Sequence, residues 1–235
     1  MRIVETIDPI SEGGVDDLPV WQAAWEQVRE AITCVDWPHG SGKFTINPGK
    51  GKNPNGVLPI KLPCIHKLKS YGWKDEGLPR ELAGVQIGNL DALLETSAGP
   101  IGFEWETGNI SSSHRAINKI LLAIFNGGLL GGVLAVPSED MRRFLTDRIG
   151  NITELRPYLC LWKNIQVKRG ILRIVAFSPD AVSTSVPLIP KQMDGNAFRV
   201  QTIVSPGLPE PVQVEPVQPE EDDLFKLLKD LEKDQ

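Results

Sequence analysis

Residues 84–136 constrain the fold more than any other stretch, because the hydrophobic period changes twice within them. Residues 85–94 and 101–106 are short apolar runs, separated by the turn-forming segment 95–100 (ETSAGP). Such a break between two such runs predicts a β-hairpin with a longer loop. Pairing Leu94 with Ile101 puts Asp91 opposite Glu104, and directly opposed residues on one face lie about 4.5–5.5 Å apart at Cβ. Side chains alternate along a strand, so Glu104 and Glu106 share one face while Phe103 and Trp105 enter a core on the other. The period then lengthens. Ser111, Ser112 or Ser113 can cap a helix whose buried stripe is Ile117, Ile120, Leu121 and Ile124. Residues 131–136 are a glycine-flanked apolar run and predict a buried strand. Strand, helix and strand in this order predict an α/β (α+β) fold, with a mixed central sheet and helices on its faces.

The same stretch carries the chemistry. Asp91, Glu104 and Glu106 would crowd one surface, and like charges held that close are destabilising unless something positive lies between them. A hard divalent cation with oxygen ligands, Mg²⁺ above all, suits such a cluster. Two plainer arrangements give the same pattern: a solvated acidic face, or a structural network with nearby Lys or Arg. Arg115, Asn118 and Lys119 share a polar face near the helix start, and a helix N-terminus favours phosphate. Carboxylates leading into a basic helix start are what a metal-dependent phosphodiesterase needs.

The order Asp91, Glu104-Trp105-Glu106, Asn109, Ser111, Arg115 and Asp147-Arg148 resembles the BamHI/BglII branch of type II restriction endonucleases, within the PD-(D/E)XK nuclease superfamily. The resemblance covers residues 37–162. Most of the superfamily carries Lys where this chain has Glu106, and the BamHI type carries Glu there. The spacing from Asp to Glu varies among relatives, so Glu95 is the alternative to Asp91. The resemblance implies a restriction-endonuclease-like fold and a site-specific endonuclease acting on double-stranded DNA as a homodimer, through helices near the central motif. It implies Mg²⁺, with Mn²⁺ able to substitute, held by Asp91, Glu104 and the backbone carbonyl of Trp105. Glu106 would orient or deprotonate the attacking water. Asn109, Ser111, Arg115, Asp147 and Arg148 would read base edges, Arg suiting guanine and Asp the cytosine amino group. A GATC-centred palindrome is the implied target. The rivals are a DNA-binding protein with structural carboxylates, and a less sequence-specific nuclease subunit of a defence or repair complex.

A net charge of −5 suits DNA poorly until its distribution is read. Residues 205–235 hold nine acidic and three basic side chains, leaving the body with 22 basic against 21 acidic. Residues 37–74 contain seven lysines and no acid, which makes Lys43, Lys50 and Lys52 candidate backbone contacts. The Gly40-Ser41-Gly42-Lys43 segment is not a P-loop, since Trp37 holds the first glycine position and Phe44 replaces the Ser/Thr.

The body is expected to be one endonuclease domain, residues 1–204. Pro206, Pro209, Pro211, Pro216 and Pro219 mark 205–220 as an acidic linker. Leu224, Leu227, Leu228 and Leu231 give 221–235 an amphipathic acidic helix, too short to be stable alone, which is expected to dock on the body, a second subunit or another protein. Cys34, Cys64 and Cys160 are expected to be reduced and mostly buried. No apolar run approaches a membrane span and no signal-peptide pattern is present, so a bacterial or archaeal cytoplasm is expected. Elsewhere the pattern predicts a strand over 2–7 ending at Pro9, and a helix from Pro19 capped by Asp16 or Asp17 and bearing Trp21, Trp25, Val28 and Ile32. It also predicts a helix within 58–71 starting after Pro63, one over 138–145 capped by Ser138, one over 151–158 stopped at Pro157, and a hairpin of 165–168 with 171–177.

Overall fold

A computed structural model describes residues 1–51, 54–77, 88–146 and 148–191. The expected linker and tail helix, together with Lys52 and Asp147, lie outside the described residues. A six-stranded sheet forms the centre. It takes in β1 (Arg2–Glu12), β3 (Lys74–Gly77), β4 (Leu90–Leu94), β5 (Ile101–Trp105), β6 (Gly131–Pro137) and β7 (Gly170–Ser178), while β2 (Thr45–Ile46) and β8 (Ala181–Val182) pair separately. The spatial order is β1-β7-β6-β5-β4-β3, with β5, β6 and β7 parallel and both outer flanks antiparallel. Every residue of the three parallel strands is buried, as strands covered on both faces must be.

One face packs on α1 (Pro19–Thr33) and α2 (Leu58–Ser70): Trp21, Val28, Ile32, Cys64 and Leu68 meet Phe103, Trp105, Val133, Val175 and Phe177. The Trp105 and Phe177 rings stack at 4.3 Å. The opposite face carries α3 (Ile110–Phe125), where Ile117, Ile120 and Ile124 meet Leu134, Val136, Leu172 and Ile174. Gly132 lets α3 lie this close, since a Cβ there would stand 2.5 Å from Ile120 Cγ2. The sandwich of helices around a mixed sheet is the predicted fold class, and the hairpin register is the predicted one, with Leu94 paired to Ile101 across residues 95–100.

Several boundaries differ, each for a tertiary reason. β1 runs through Pro9, because it is an edge strand whose register shifts between Ile7 and Ile10 and asks no ladder bond of the proline. Leu18, without a side-chain bond, precedes Pro19 at the start of α1. Asp16 instead accepts from Trp21 Nε1 (3.2 Å) and from Arg173 (2.9 Å). α2 starts at Leu58 and contains Pro63. Ser138 does cap α4 (Glu139–Arg142), but that helix is a single turn. After α5 (Ile152–Leu155), Pro157 sits in a 3₁₀ turn, and the chain continues into α6 (Leu159–Lys163) rather than stopping. Residues 165–168 form no strand, because both edges of β7 are already taken by β1 and β6. Cys64 is buried, but Cys34 and Cys160 are exposed.

Candidate active site

β4 begins where β5 ends, because the two are antiparallel, and that end of β5 is also its carboxyl end beside the parallel strand β6. Ligand sites of α/β sheets form at such strand ends. Continuing the pairing of Ala92 with Phe103 sets Asp91 level with Glu104. Asp91 Oδ2 accepts from the Trp105 backbone N–H at 2.8 Å, fixing the carboxylate across the hairpin. The Glu106 N–H continues the parallel ladder by donating to the Ala135 carbonyl at 2.9 Å. As predicted, Phe103 and Trp105 enter the core under α1 and α2. The face bearing Glu104 is not solvated, however. It lies under α3, and Glu104 is 3% exposed.

Burial pushes the Glu104 carboxyl up to about 7, and the charge of Asp91 pushes it the same way. Burial also raises Glu106, again with Asp91 adding to the effect, while Lys61 and Arg115 oppose it. Two lysines compensate the pair. Lys61 of α2 donates to Asp91 Oδ1 at 2.5 Å. Lys119 of α3 forms an ion pair with Glu104 Oε1, which has no other hydrogen-bond partner among the described residues. Lys119 therefore turns back to the sheet instead of joining Arg115 and Asn118 on an outer polar face. Among the described residues no three His, Cys, Asp or Glu side chains form a ready-made metal cage. Asp91 and Glu104 stand level across the hairpin, and the charge of Glu106 also acts on Glu104.

The candidate DNA contacts divide between two segments. Asn109, rather than a serine, caps α3: its Oδ1 accepts from the Ser112 N–H at 3.1 Å, leaving Nδ2 available. Ser111 and Arg115, one turn apart, are exposed at the helix start. The second segment is docked beside them, since the Gly150 N–H donates to the Gly108 carbonyl at 2.9 Å. A Cβ on Gly150 would lie 2.9 Å from Ile110 Cα, so only glycine allows this approach. Two residues earlier Arg148 is exposed and holds φ 62°, a left-handed conformation that costs energy in a non-glycine residue. Lys43 and Lys50 are exposed on a loop that Asn47 and Asn55 pin to residues 184–189. The lysine-rich stretch is less basic when folded than when read linearly: Lys61, Lys67 and Lys69 are paired with Asp91, Glu30 and Asp75.

A sequence model of the family described as "Restriction endonuclease BamHI" matches residues 1–196. The chain is 43% identical over 190 residues to the type II restriction enzyme OkrAI of Oceanobacter kriegii, covering 81% of this chain and 95% of that enzyme. The chain belongs to the BamHI restriction endonuclease family. It is also 36% identical over 186 residues to the type II restriction enzyme BamHI of Bacillus amyloliquefaciens, covering 76% and 84% of the two chains. In fold it resembles the crystal structure of restriction endonuclease BglII complexed with a DNA 16-mer, at a TM-score of 0.55 and 12% identity, over 77% of this chain and 79% of that one. Membership of the BamHI family makes the chain a nuclease that acts on DNA at specific sites. Within that family frame, sequence reasoning did not connect Lys61 with the carboxylates, and it set Lys119 on a polar face with Arg115 and Asn118 rather than against Glu104. Both were visible as lysines, but nothing local in the chain connects Lys61 with Asp91, 30 positions away. No helix among the described residues is long and apolar enough to cross a membrane.

Proposed function

We propose that this chain hydrolyses double-stranded DNA at a short, GATC-centred palindrome, as a homodimer dependent on Mg²⁺ or Mn²⁺. The observation that carries the reading is the pairing of Asp91 with buried Glu104 at the carboxyl end of β5, where two ammonium groups already answer the demand for positive charge. The donors fit a small hard dication: Mg²⁺ is commonly held by one or two carboxylates, with phosphate and water completing its shell. Asp91, Glu104 and the Trp105 carbonyl would hold it. Bound there, the ion supplies charge stabilisation to the scissile phosphate and the leaving 3′ oxygen.

The protein's own groups do the rest. Asp91 is kept in place by the Trp105 N–H, so the binding geometry is set before the ligand arrives. Glu106, with its carboxyl raised by burial, is a stronger base than an exposed glutamate, which suits it to take a proton from water. Asn109 through Nδ2, with Ser111, Arg115, Asp147 and Arg148, reads base edges. Docking of Gly150 on Gly108 supports a fixed relation between the two reading segments. Lys43, Lys50 and Lys52 contact the DNA backbone. A palindrome calls for a two-fold protein. Phe125 at the end of α3 and Leu161 of α6 are 64% and 63% exposed, and the rings of His114 and Trp162, 5.5 Å apart, join the two helices. A second copy covering this apolar surface would form the dimer.

Incubating the full chain with plasmid DNA and Mg²⁺ tests the reading. Discrete fragments are expected; random degradation favours an unspecific nuclease, and intact plasmid a binding protein. Glu104→Ala cutting at the wild-type rate would remove the site assignment.

A further inference from the structure

The two lysines at the carboxylate pair are held very differently. Lys119 is 14% exposed, and the Asn89 carbonyl fixes its ammonium at 2.7 Å in addition to Glu104. Lys61 is 35% exposed, and Asp91 Oδ1 is its one hydrogen-bond acceptor among the described residues. Other lysines of α2 are engaged elsewhere, Lys67 with Glu30 at 2.8 Å and Lys69 with Asp75 at 2.7 Å. Lys61 is thus a half-exposed ammonium on a flexible four-carbon stem, resting on one carboxylate oxygen.

We propose that Lys61 is an exchangeable counter-ion and phosphate contact: it neutralises Asp91 in the free protein and moves to a DNA phosphate oxygen when a divalent cation takes that carboxylate. The proposal rests on the reading of Asp91 and Glu104 as the metal-holding pair. Asp91 Oδ2 is already engaged by the Trp105 N–H, so Oδ1 is the oxygen for which a cation and Lys61 compete. An ammonium and a dication on one oxygen repel each other. The displaced lysine then stands beside the incoming phosphodiester, an anion that lysine binds as a point charge. Lys119 cannot make this exchange, because it is less exposed and its ammonium is also tied to the Asn89 carbonyl. The result leaves a cation for each of these groups: Lys119 and the metal for Glu104, the metal for Asp91, and Lys61 for the phosphate.

The test uses full-length Lys61→Met, which keeps the stem and loses the charge, beside Lys61→Arg, which keeps the charge. Without DNA, the Tm rise on titrating Mg²⁺ should show Lys61→Met binding the ion several-fold more tightly than wild type. With a short DNA duplex, the slope of log K against log[KCl] is measured in Ca²⁺ and in EDTA. Loss of one phosphate contact flattens that slope by about 0.9. Flattening is expected for Lys61→Met in Ca²⁺ alone, with the wild-type slope restored by Lys61→Arg. An unchanged slope in Ca²⁺, equal flattening in EDTA, or unchanged Mg²⁺ affinity overturns the exchange. Should Lys61→Met fold poorly, Lys61→Gln makes the same change of charge. Asp91→Asn separates the two layers of the argument. If it retains the full Mg²⁺-induced Tm rise, the metal-site reading fails and takes the exchange with it. If it abolishes that rise while Lys61→Met behaves as wild type, the exchange alone fails.

Discussion

Replacing Glu104 by Gln should change the pH dependence of folding stability by an amount the structure sets. An ordinary glutamate titrates near 4.5, and Glu104 is pushed to about 7 by burial and by Asp91. Each pH unit of such displacement is worth 1.36 kcal/mol, so the whole corresponds to about 3 kcal/mol. The folded state retains a proton between pH 4.5 and 7 that the unfolded chain has released. Stability from this group is therefore complete below pH 4.5 and is lost as pH rises through 7. Glutamine does not titrate, whereas Glu106 remains in both proteins and cancels in the comparison. Urea unfolding in EDTA, run from pH 4.5 to 8, should show wild type losing about 3 kcal/mol relative to Glu104→Gln. In thermal scans that is roughly 6–12 °C for a domain of this size. Mg²⁺ added at pH 8 should recover stability in wild type and much less in the variant, since a ligand stabilises the state that binds it. Stability curves that run parallel across this pH range would refute the claim that Glu104 is buried beside Asp91.

Asn109→Ala removes the cap on α3 and should cost about 1 kcal/mol of stability by urea unfolding; Asn109→Ser should restore stability without restoring cleavage of the target. Gly150→Ala places a Cβ 2.9 Å from Ile110 Cα, a backbone atom with nowhere to go. A loss of about 1–3 kcal/mol is expected, and wild-type stability would show that the two segments are not tightly docked. Phe125→Glu with Leu161→Glu puts charge on the exposed apolar surface of α3 and α6. Sedimentation velocity should then find monomers, and an unchanged dimer would place the interface elsewhere.

Legibility in the sequence followed the range of the interaction. The register of β4 on β5 was readable because six loop residues and an alternating pattern leave few pairings that bury Phe103 and Trp105. Ser138 was readable as a cap because its bond spans three residues, to the Met141 N–H. The same local logic chose serine over Asn109 at the start of α3, since any of these side chains can cap and only the path of the chain decides which does. Proline misled twice in the same way, read as a stop where the chain continues: Pro9 lies within an edge strand and Pro157 within a 3₁₀ turn, places where its missing N–H costs nothing.

By itself the sequence determined the alternation that divides the end of β5 into apolar and acidic sides, the helix that follows, and the motif that marks the nuclease family. Only the tertiary structure decided that α3 covers the acidic side, that Glu104 is therefore buried, and that Lys61 and Lys119 come from two different helices to answer its charge and that of Asp91. Periodicity records which way a side chain leaves its own element. What it meets there depends on packing between segments far apart in the chain, and it is that meeting which sets burial, charge and the chemistry of the site.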